Sequence, residues 1–119
     1  MKDRTVKQLH ALIDKYVTKW KVELFLGMWT VSYDIRDWLT NEHGDETQTV
    51  ARCFTHWNYF TAELEFNYMI LKDKADSFIE KIVLHEMLHI VVNEMREEHI
   101  DHEERVVSHL TMIIDRLGK

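Results

Sequence analysis

Residues 83–92 read VLHEMLHIVV. His85 and His89 stand four apart, which on a helix places one imidazole a turn above the other on the same face, where both can reach a single metal ion. Neutral imidazole suits zinc, and zinc accepts three protein ligands with a fourth position left to water. Glu86 lies about 100° round the helix from His85, so its carboxylate can meet that water without ligating the metal. Bound zinc brings the water's pKa to roughly 7 and polarises a scissile carbonyl. A carboxylate at Glu86 would then take the water's proton and pass it to a leaving amine. The remaining side chains of the stretch are apolar, and polar groups in such surroundings are costly without partners. The plainer alternative is a pair of core histidines bonded to backbone, with Glu86 solvated or paired with a cation.

Such a site needs a third protein ligand. The H-E-x-x-H-x-x-G-x-x-H continuation is absent, with Val92 where its glycine would fall. The last part of the chain supplies candidates. Its apolar stripe, Val106, Val107, Leu110, Ile113, Ile114 and Leu117, extends backwards by helical steps to Glu103, which would therefore point inward. Glu103 is the preferred third ligand, with Glu104 next and His102 third. An acidic residue in a first helical turn is also explained by the helix dipole alone, an account that suits Glu104 better than Glu103.

The elements that must position these residues are legible in outline. Val6, Leu9, Ile13, Tyr16, Val17 and Trp20 recur at three- and four-residue steps and predict a first helix over 5–20. In MWTVSY, Trp29, Val31 and Tyr33 alternate with Met28, Thr30 and Ser32. In TAELEF, Ala62, Leu64 and Phe66 alternate with Thr61, Glu63 and Glu65. Three strands are expected near 26–33, 48–57 and 60–67, the segment 52–60 having a helical alternative. Connections too short for helical crossovers favour antiparallel pairing. Ser77 and Glu80 match a capping box, so the second long helix should begin just before Phe78 and run to about Arg96. A last helix should begin near Asp101. The expected class is α+β, in the order α-β-β-β-α-α, with a small antiparallel or mixed sheet packed on the helix that carries His85 and His89.

Composition narrows the rest. The 119 residues favour a single domain spanning 1–119. No run approaches the roughly 18 apolar residues of a membrane span, and no signal peptide is visible. Cys53 is the sole cysteine, which excludes an internal disulfide and a cysteine-rich zinc site and fits a reducing cytoplasm. A net charge of −6 with scattered basic residues gives no reason to expect a nucleic-acid or membrane partner. Cys53 reads as a small buried hydrophobe, and Trp20, Trp29, Trp38 and Trp57 as core or sheet packing. His10, His99, His102 and His109 read as surface histidines, and the run EMREEHIDHEE as a solvated helix end and turn.

The W-x-V-x-Y strand, AxLxFN at 62–67, IVLHEMLHIVV, and EERVV opening the final helix together resemble the zincin metallopeptidases, specifically the small glutamate-zincin (gluzincin) type found in phages and prophages. The resemblance covers most of the chain. It implies zinc held by His85, His89 and a downstream glutamate, with Glu86 as catalytic base and a peptide or protein as substrate. It also implies a small twisted sheet whose edge strand pairs with the substrate's main chain. By order along the chain, 60–67 is the candidate edge. Peptidases of this kind offer a Tyr or His to the oxyanion; His102, His56, Tyr59 and Tyr68 all remain open for that role. The rival is a catalytically silent zincin-fold binding or structural protein whose zinc staples the two C-terminal helices. Oligomeric state stays open, since an exposed sheet edge pairs with a second copy as readily as with a peptide.

Overall fold

A computed structural model describes residues 3–93 and 102–118. His99 and most of the charged run before the last helix therefore lie outside the described residues. Helix α1 spans Val6–Glu23. Thr5 caps it by accepting from the Gln8 amide at 3.1 Å, while the Gln8 side chain accepts from the Thr5 amide at 2.9 Å. That reciprocal pair fixes where the helix starts. Leu9, Ile13, Tyr16 and Val17 form its buried stripe.

Three strands follow: β1 Thr30–Arg36, β2 Ala51–His56 and β3 Thr61–Asn67. Their order in the sheet is β1-β3-β2. Strand β3 pairs antiparallel with β2 and parallel with β1. The mixed sheet is one of the two forms expected; its parallel pair arises because residues 37–50 are long enough to carry the chain from one edge to the other before the turn at Trp57–Tyr59 brings it back to the centre. One expectation is corrected: the segment 60–67 is the central strand, so it cannot be the edge that receives a peptide.

The side chains of β3 explain its central place. Ala62, Leu64 and Phe66 are buried on one face, the larger two each stabilising the fold by roughly 1.5–3 kcal/mol. On the other face Glu65 pairs with Arg52 of β2 and with Arg36 of β1. Arg52 also donates to the Thr40 carbonyl at 2.8 Å, tying down the crossover. Strand β1 begins four residues later than expected, because Leu26 and Trp29 are used in a turn that leaves α1. Its alternation then continues to Ile35.

After β3 comes a one-turn helix, α2 Tyr68–Leu71, which sequence reasoning missed. Helix α3 is Asp76–Val91, with Ala75 at its N-cap and no side-chain cap. The expected Ser77–Glu80 capping box is not formed, since Ser77 already lies inside the first turn. Arg4 instead holds this end through the Lys74 carbonyl and the Asp76 carboxylate. Helix α4 is Glu103–Leu117, two residues later than expected.

Helix α3 and α1 cover the buried face of the sheet. Leu9, Ile13, Leu64, Phe66, Val83 and Met87 belong to the main core, and Leu84, Leu88 and Val107 form a smaller one between α3 and α4. Within the stripe of α4, Val107 is buried and Leu110 and Ile114 are partly buried, but Ile113 and Leu117 are exposed. Cys53 is buried as expected, whereas Trp57 lies exposed on the turn beyond β2. No described helix is long and apolar enough to cross a membrane.

Candidate metal centre

Helix α3 is apolar on most of its circumference because it is packed from two sides. Ile79, Val83, Met87 and Ile90 enter the main core, and Leu84 and Leu88 face α4. His85 and His89 lie at the margin of the second contact, opposite the N-terminus of α4. Their rings are 5.1 Å apart between centroids and nearly perpendicular, at 76°.

The first turn of α4 brings two carboxylates to these rings, and the two behave differently. Glu104 spans both imidazoles: one oxygen is 2.6 Å from Nε2 of His85 and the other 3.0 Å from Nε2 of His89. Glu103 reaches the opposite side of the same ring and accepts from Nδ1 of His89. The side chain of Glu104 is 69 % exposed, against 15 % for Glu103, 18 % for His85 and 7 % for His89. Ligand atoms of His85, His89 and Glu104 all lie within 4.8 Å of one another. The inward position expected for Glu103 is observed, yet Glu104 stands beside both Nε2 atoms. The reason is geometric. Those nitrogens face the solvent rim of the helix contact, and a partly exposed side chain reaches the rim where a buried one meets the ring from behind.

The donor set suits a cation. Burial pushes the pKa of His89 below its ordinary value, although Glu103 and Glu104 pull the other way. In the tautomer that donates Nδ1–H to Glu103, the Nε2 lone pair faces a carboxylate oxygen of Glu104. Two acceptors at hydrogen-bond distance repel unless a proton or cation lies between them. Two imidazole nitrogens and a carboxylate are also the ligand types that zinc prefers.

Glu86 is buried on α3, directly after His85. The four oxyanion candidates are scattered. His102, in a left-handed conformation with φ 76°, immediately precedes Glu103. His56 and Tyr59 lie exposed around the β2–β3 turn, and Tyr68 donates its hydroxyl to the Arg4 carbonyl. His109 is exposed on α4, and His10 is exposed but meets the Tyr33 hydroxyl at 3.0 Å. Sequence reasoning did not give Glu103 a role behind His89. The one available signal was a pair of adjacent acids on α4, which does not say which of the two faces which nitrogen.

A family model described as the SprT-like family matches residues 8–115 of the chain. No curated protein and no solved structure matches it.

Proposed function

Since the chain belongs to the SprT-like family, whose domains are of the zincin-like metallopeptidase type, we propose that it is a zinc-dependent metallopeptidase that hydrolyses peptide bonds with water. His85, His89 and Glu104 would hold the zinc. When bound there, zinc acidifies a water molecule and polarises a peptide carbonyl. Glu86, anchored on the same helix and turned about 100° from His85, takes the proton from the attacking water and delivers it to the leaving amine. The apolar walls supplied by Leu84, Leu88 and Val107 keep bulk water from the inner side of the site. The substrate's main chain would lie along β2, an edge strand of the described sheet that packs against α3.

One observation carries this reading. Among the described residues the cluster holds three donors, and Glu103 is directed at the other nitrogen of His89. A structural zinc is closed by four protein ligands, whereas a hydrolytic one keeps a position open. The silent, zinc-stapled alternative would call for a fourth protein donor beside His85, His89 and Glu104. The test is to incubate zinc-loaded protein with a peptide library and read new termini by mass spectrometry. Cleavage abolished by a chelator and restored by zinc supports a peptidase. A fully loaded protein that cleaves nothing across the library favours the silent alternative.

A further inference from the structure

We infer that Glu103 is a positioning residue for this site: its carboxylate fixes the tautomer and ring orientation of His89, so that the Nε2 lone pair is presented to the metal. The inference rests on the zinc-site reading above and adds to it a residue that does not touch the metal. Glu103 and Glu104 are neighbours in one helical turn, yet Glu103 is mostly buried and Glu104 mostly exposed. Glu103 continues the buried stripe of α4 one turn before Val107. A carboxylate in such a place is costly unless paired, and one of its partners is Nδ1 of His89. A neutral imidazole carries one proton, and the nitrogen that holds it leaves the other free as ligand. By accepting from Nδ1, Glu103 assigns the proton to the inner nitrogen and the lone pair to the rim, where Glu104 and His85 converge. Carboxylates placed behind a ligating histidine also raise its basicity, and their loss typically weakens metal binding by about 10–100-fold.

Zinc dissociation constants from chelator competition, measured beside the melting temperature of the zinc-free protein, test this in Glu103→Ala, Glu103→Leu and Glu104→Gln. Glu103→Ala should weaken zinc binding by about 10–100-fold and leave zinc-free melting close to that of the parent. In the zinc-loaded parent the His89 Nδ1 proton should be slow to exchange with solvent by NMR, and that protection should be lost in Glu103→Ala. Unchanged affinity in Glu103→Ala, with zinc lost in Glu104→Gln, would overturn the positioning role while leaving the metal site intact. Zinc lost as completely in Glu103→Ala as in Glu104→Gln would make Glu103 a ligand and equally overturn it. If Glu104→Gln and His85→Ala both bind zinc like the parent, the site itself is misassigned. Should Glu103→Ala not fold, Glu103→Leu, which cannot accept a hydrogen bond, decides: a His89 Nδ1 proton as protected there as in the parent contradicts the role.

Discussion

On the side of α3 that meets α1 and the sheet, buried residues succeed one another from Ile79 through Val83 and Met87 to Ile90 with no polar interruption. On the side that meets α4, Leu84, Leu88 and Val107 form a smaller buried cluster against which Leu110 and Ile114 pack, and the contact ends in two imidazoles and two carboxylates. The first contact is made of apolar area. The second combines a smaller apolar cluster with a group of imidazoles and carboxylates that could hold a cation. The same helix is thus part of an apolar scaffold on one side and of a joint with a candidate metal centre on the other. The docking of α4 should follow the metal, and the sheet should not.

The largest expected difference between the two sides comes from Phe66, fully buried under the sheet. Phe66→Ala should cost about 3–5 kcal/mol, read as a global fall in the denaturation midpoint with or without zinc. A loss confined to zinc-loaded protein would break the distinction. Next, zinc at 100 times its dissociation constant should stabilise the protein by about 2.7 kcal/mol, and Glu104→Gln should abolish that gain. Hydrogen exchange should show the gain concentrated in α4 and the second half of α3, with the sheet amides unaffected. Val107→Ala removes two buried methyl groups from the smaller contact and should cost about 2 kcal/mol. It should also weaken zinc binding, which Phe66→Ala should not do under conditions where that variant remains folded.

The smallest effect is one of pH, in zinc-free protein. Burial holds the pKa of His89 below its ordinary value. Below about pH 6.5 the unfolded chain takes up a proton at this ring that the folded protein refuses. The contribution of neutral His89 is therefore complete above that pH and is lost as pH falls through it towards the lower folded value. The denaturation midpoint of the parent should fall between pH 7.5 and pH 5.5, and that of His89→Gln should fall less. An equal fall in both would assign the acid sensitivity to other groups.

The sequence made the scaffold side easier to read than the joint. Ala62, Leu64 and Phe66 alternate because they line one face of a strand, and Leu9, Ile13 and Tyr16 recur because they line one face of a helix; local periodicity carries both. It does not carry strand order. The parallel pairing of β1 with β3 depends on where residues 37–50 lead the chain, a long-range outcome with no local signature. The helix, its two histidines and Glu86 were legible from spacing. The division of labour between Glu103 and Glu104 was not, because adjacent residues differ by about 100° of helix rotation and the placement of α4 against α3 decides which nitrogen each one meets. Ser77 and Glu80 carried a capping signal that a long-range tie from Arg4 overrode.

The central claim is that this joint is a hydrolytic centre worked by Glu86. The most direct test compares kcat for peptide cleavage by the parent and by Glu86→Gln, each shown by elemental mass spectrometry to carry equal zinc. The expected result is a fall of about 10²–10⁴-fold, with zinc content and melting temperature unchanged. Equal cleavage by both proteins at equal zinc would contradict the account.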